Sequence, residues 1–225
     1  MCTVYDFFAF LAAGFVVIVA TDYAFERHWL LQKDPTIVVG VFWIVAAYIV
    51  GHIIGNLSGH ILDRWIVRKR LGAPEETLFR DRGPQGVRKL FPGYHDRLPE
   101  RTQARILAKA EQLAEIKKPG RDLFFHSFER IKHDEATRSR LNNFLNQYGF
   151  CRNMSLALLL SALILLVGLA TADMRNEGTG EYAGLASIAA AVTGIGMFYR
   201  YLKYFREYTL EVFRSYAEKD EKGGK

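Results

Sequence analysis

The sequence predicts an all-α integral membrane protein with four transmembrane helices, arranged as two hairpins, and a helical cytoplasmic insert between spans two and three. Three observations carry that reading. Apolar runs cover residues 7–21, 37–57, 154–172 and 183–201, and a helix needs about 20 residues to cross a hydrocarbon core, with about 17 tolerated. The charged residues fall between those runs, apart from Arg200 at the end of the fourth, so a mean hydropathy of -0.01 averages two opposite kinds of segment. Glycines also recur every four residues at Gly51, Gly55 and Gly59 near the end of the second run.

The first run reaches spanning length by including its flanks. Its start, Met-Cys-Thr-Val-Tyr-Asp, carries no basic residue and Thr21-Asp22-Tyr23 follows Ala20, which does not fit a cleaved signal peptide. It is therefore read as a retained span. Tyr23 and Trp29 suit an interfacial aromatic anchor in the connection to the second run, and Pro35 suits a first helical turn.

In the second run the glycine stripe would open a groove for another helix backbone, either span four or a second copy. One position behind it His52, Asn56 and His60 form a polar ridge, which Asp63 extends. Residues four apart share one helix face, and polar groups at membrane depth are costly unless paired. The ridge is accordingly a candidate for interhelical hydrogen bonding or a pore lining. A zinc-type site needs three or four converging ligands, and one helix cannot bring His52 and His60 together on one ion. No metal or other cofactor is expected.

Helical character continues past the apolar run to Gly72, with Pro74 just beyond as a terminator. Arg64, Trp65, Arg68, Lys69 and Arg70 on this extension form an interfacial signature, in which each base beside an anionic leaflet contributes about 1 kcal/mol. Pro74, Pro84, Pro92 and Pro99, with glycines among them, predict short turns between small helices. A helix is predicted from Pro99 to about Lys117, with Ile106, Leu107, Ala110, Leu113 and Ala114 on one face. Another starts at Arg121 with Leu123, Phe124, Phe128 and Ile131 in register. After a charged stretch the stripe resumes at Leu141, Phe144, Leu145 and Tyr148 and runs into span three without a proline.

The fourth run is rich in small residues, and Ser187, Ala191 and Gly194 are candidates for close helix packing or oligomerisation. It leaves through an aromatic and basic belt that includes Arg200 and Lys203, and the helix is expected to reach about Ala217 before a polar, disordered tail.

Charge sets the orientation. The short loops after spans one and three are net acidic, with Arg27 and Lys33 in the first and Arg175 in the second, whereas residues 58–152 carry a large basic excess. The positive-inside bias puts that segment and both termini in the cytoplasm. The expected organisation is a first transmembrane hairpin (1–57), a basic helical cytoplasmic domain (58–152), a second hairpin (153–205), and a cytoplasmic helix end with its tail (206–225). Cys2 and Cys151 then lie on the reducing side, where no structural disulfide is expected.

No His-Glu-x-x-His, P-loop, Gly-x-Ser-x-Gly or kinase pattern occurs. Ser58 and His60 are two apart on one helix and do not face each other. His126 with Glu129 and Arg130, and the run from His133 to Glu135, read as solvated charged faces. The basic excess follows from orientation, so nucleic acid is not an expected partner.

The expected function is non-enzymatic: a homo-oligomeric, multi-pass protein of a prokaryotic inner membrane, acting as an ion channel or signal-transducing effector. A bacterial defence system is one setting for such a plan, by analogy of architecture alone. Expected partners are anionic inner-leaflet lipid, further copies of the chain, and a soluble protein or small ligand at the cytoplasmic domain. Two alternatives stand beside it, a membrane scaffold recruiting a soluble partner and an intramembrane enzyme using His52, His60 and Asp63.

Overall fold

The computed structural model describes residues 4–25, 30, 36–80, 89–91, 93–114, 116, 118–173 and 180–219. Cys2, Arg27, Trp29, Lys33, Pro35, Pro84, Pro92, Lys117, Arg175 and the tail 220–225 lie outside them, as do the side chains of Leu113 and Ala114. The described residues are mostly helical, without a strand. In order they form α1 (Val4–Ala24), α2 (Ile37–Ser58), a π-helical segment (Gly59–Leu71), α3 (Pro74–Thr77), α4 (Glu100–Ala114), α5 (Arg121–Ile131), α6 (Glu135–Asp173) and α7 (Gly180–Glu218). Four of the helices are long and apolar enough to cross a membrane.

Local signals place the ends. Thr36 starts α2 by accepting the Val39 amide on its hydroxyl at 3.4 Å, an N-cap contact that satisfies one of the orphan donors of a helix start. Asp134 starts α6 the same way, taking the Thr137 amide at 2.9 Å and the Thr137 hydroxyl on one carboxylate oxygen. This cap separates α5 from α6 within the charged stretch. From there α6 is unbroken for 39 residues, through Gly149. At about 1.5 Å per residue it is roughly twice as long as a hydrocarbon core is thick.

The extension of α2 is not α-helical. Residues 59 to 71 follow the wider i→i+5 pattern, and the Gly72 amide closes it on the Val67 carbonyl at 2.9 Å. Leu62, Val67 and Leu71 are its buried apolar positions, and their spacing of five and four matches the wider turn rather than an α-helical one. Gly72 ends it with φ at 87°, a conformation in which a β-carbon is strained. Two side chains cover the end, with Tyr94 donating its hydroxyl to the Gly72 carbonyl and His95 donating from Nε2 to the Leu71 carbonyl, both at 2.9 Å.

The chain divides into two compact units. One holds residues 1–63 and 149–201, the other residues 64–148 and 202–225. In the first, α6 bonds to the other three helices. Ser161 donates to the Val16 carbonyl of α1 at 3.4 Å, Ser155 to Gly194 of α7 at 2.9 Å, and Ser187 of α7 back to Ala162 at 2.9 Å. Helices α1 and α2 are in backbone contact, since a β-carbon on Gly51 would fall inside the Phe10 carbonyl and one on Gly14 inside that of Ala47.

The second unit has its own apolar core. Leu78, Leu98, Ile106, Leu123, Ile131 and Leu141 surround Val212, Phe213 and Tyr216 from the end of α7. Burying an aromatic of this size typically removes 150–250 Å² from water, and the α7 end supplies two of the largest fully buried side chains here, Phe213 and Tyr216. The predicted stripes on α4 and α5 supply most of the rest.

Candidate functional site

The polar residues singled out on α2 do not share one environment. His52 is exposed at the edge of α2, where it stacks on Phe10 with ring centroids 4.2 Å apart and meets Tyr48 edge-on at 4.5 Å. His60, also exposed, returns to its own helix through Nδ1 and the Asn56 carbonyl at 3.1 Å. The Asn56 side chain is exposed. Asp63 is half-buried and accepts from the Tyr201 hydroxyl of α7 at 3.4 Å. His52, His60 and Asp63 therefore have three separate sets of partners.

The glycines divide as well. Gly51 and Gly55 both face Phe10, and Gly59 has only the Arg152 guanidinium within 3.8 Å of a β-carbon. The partner of Gly51 and Gly55 is thus α1 of the same chain. A contact with span four or with a second copy were the two possibilities read from the sequence; α1 enters because its glycine, Gly14, lies opposite Ala47 and Gly51. On α7, Ser187 and Gly194 are buried against α6 and Ala191 is half-buried.

The buried polar contact in this unit lies where α2 ends. Ser58 is fully buried, and its hydroxyl is 2.6 Å from Asn153 Oδ1 and 2.9 Å from the Gly55 carbonyl, two acceptors for one hydrogen. Arg152 donates from Nε to the Ser58 oxygen at 3.1 Å and from Nη2 to Asn153 Oδ1 at 3.5 Å. A charged donor strengthens such a set, and in a low-dielectric surround an unmade bond would be costly. Arg152 and Asn153 carry no mark in the sequence beyond standing at the start of an apolar run.

The basic positions after α2 are exposed around the π-helical segment, with Arg70 over the Trp65 ring at 5.5 Å. Arg68 differs from its neighbours. It pairs with the buried carboxylate of Glu75 at 2.8 Å and lies 5.7 Å from the centre of the Phe205 ring. At the end of the fourth apolar run Lys203 and Arg200 are exposed.

In the second unit two clefts flank Leu145 and Tyr208. The larger, about 420 Å³, is lined by Phe128, Lys132, His133, Arg138, Asn142 and Tyr208 over Leu141. The smaller, about 170 Å³, includes Arg68, Arg121, Phe124, Phe125 and Phe205. His126 of α5 stands edge-on to Tyr216 at 5.7 Å. Burial, and then the nearby Arg130 charge, hold its imidazole below the usual histidine value. Its Nε2 is enclosed without a hydrogen-bond partner, as is the Tyr216 hydroxyl. Among the described residues no three His, Cys, Asp or Glu side chains converge as a metal site requires.

No protein-family model, curated protein or solved structure matches the chain.

Proposed function

We propose that the chain is a homo-oligomeric protein of the inner membrane, with both termini cytoplasmic, whose helical bundle changes membrane permeability under control of the cytoplasmic unit. The observation that carries this reading is the polar edge of α2. His52, Asn56 and His60 are all exposed, on a helix whose other outward residues include Ile37, Phe42, Ile49 and Ile53. In hydrocarbon, unsatisfied polar groups cost several kcal/mol each. A second copy, or a water-filled path between copies, would satisfy them.

Large apolar side chains on the outside of the same unit, such as Ile188 of α7 at 63% exposure and Phe42 of α2 at 63%, support a lipid-facing surface. The glycine stripe no longer argues for association between copies, because Gly51 and Gly55 are occupied by α1. Asn56 and His60 take over that part of the argument.

The test is the full chain in detergent and in liposomes. Mass determination of the solubilised particle is expected to give more than one copy, and Asn56→Leu with His60→Leu is expected to weaken both association and ion flux. A monodisperse single copy, or flux unchanged in the double variant, would overturn the reading. An oligomer that passes no ions under any condition would favour the scaffold instead.

A further inference from the structure

The larger cleft of the second unit has a composition that the rest of that unit lacks. Lys132, His133 and Arg138 bring basic nitrogens to its rim, Asn142 adds an amide, and no carboxylate lines it. Lys132 is shared with Glu129 by an ion pair, but among the described residues no hydrogen bond or ion pair holds the side chains of His133, Arg138 or Asn142. Arg140, in the same unit, does find an acid, pairing with Glu211 at 3.2 Å. The rest of the lining is largely apolar, supplied by Phe128, Tyr208, Leu141 and Leu145. A volume of about 420 Å³ lies within the range typical of small-molecule sites, roughly 300–1,000 Å³.

We propose that this cleft binds a small phosphorylated ligand with a planar ring, of mononucleotide size, the ring against Phe128 and Tyr208 and the phosphate against Arg138, His133 and Lys132. Arginine suits a phosphate because its planar fork presents paired donors. Aromatic faces accept a base without regard to its edge chemistry. The assignment rests on the reading of this unit as the controlling one only for its biological meaning; the binding itself does not.

Calorimetric titration of the full chain in detergent provides the test, with the four ribonucleoside 5′-monophosphates and 3′,5′-cyclic AMP as probes. Inorganic phosphate and a short-chain phosphatidylglycerol serve as the two other sources of phosphate. At least one nucleotide is expected to bind saturably, at least tenfold more tightly than phosphate. Arg138→Ala should weaken it about tenfold or more, the effect of one charged hydrogen bond, and Tyr208→Leu should weaken the nucleotide without changing phosphate. Arg138 is exposed, so its variant tests binding rather than folding. Three results would overturn the proposal: no nucleotide binding below about 1 mM, binding unchanged in Arg138→Ala, or tighter binding of the lipid. Nucleotide binding by a chain that neither associates nor conducts would retain this inference and reject the membrane reading.

Discussion

Ser58 and Asn153, 95 positions apart, meet at 2.6 Å with Arg152 donating to both. This contact joins the end of α2 to α6 within the first unit. Its environment decides how much it is worth.

Hydrogen bonds between helices in membranes average about 0.6 kcal/mol and reach about 1.7. Asn153→Leu is expected to cost at the upper end of that range, since it leaves the Ser58 hydroxyl and the Arg152 guanidinium without one acceptor. Ser58→Ala should cost less, because Arg152 keeps Asn153 Oδ1. Both are read from the midpoint of unfolding in a denaturing detergent titration, and the reverse order would contradict the geometry.

Gly51 and Gly59, eight residues apart in the same stripe, should respond very differently to alanine. At Gly51 the added carbon collides with backbone, which cannot swing aside, so α1 must move; a loss of about 1–3 kcal/mol is the usual scale for overpacking. At Gly59 the nearest atoms belong to a flexible arginine at 3.8 Å, and alanine there should be neutral or favourable by up to about 1 kcal/mol. Equal stability of the two variants in the same detergent titration would refute the assignment of α1 as the partner.

His126 makes the second unit sensitive to acid. Its folded pKa lies below the ordinary histidine value of about 6.5, so as pH falls through that value the unfolded chain takes up a proton that the folded chain resists. Stability is therefore full above about pH 6.5 and declines below it. Thermal unfolding between pH 7.5 and 5.5 should show a smaller decline in His126→Gln than in the parent. Parallel curves would remove His126 from the account.

The glycine stripe illustrates how far residue spacing carries. Of its three positions Gly51 meets a neighbouring backbone, that of Phe10, while Gly55 and Gly59 face side chains. The period says nothing of which helix approaches, and Gly14 was not read as the partner because a lone glycine in α1 has no pattern to announce it. The polar ridge is the opposite case. On an α-helix His52, Asn56 and His60 do share a side, but Asp63 follows the change to π geometry beyond Ser58 and faces Tyr201 of α7 instead.

Apolar length and helical periodicity alone determined that the chain is all helical with four helices long enough to cross a membrane, because both follow from backbone geometry and transfer energies summed along a continuous stretch. The π-helical segment, the choice of α1 as the partner of Gly51, the Ser58–Asn153–Arg152 contact and the acid-free cleft beside Arg138 were decided only in three dimensions. Each depends on which side chains, tens of residues apart, come within about 3–4 Å, a distance at which single hydrogen bonds and single β-carbons settle the outcome.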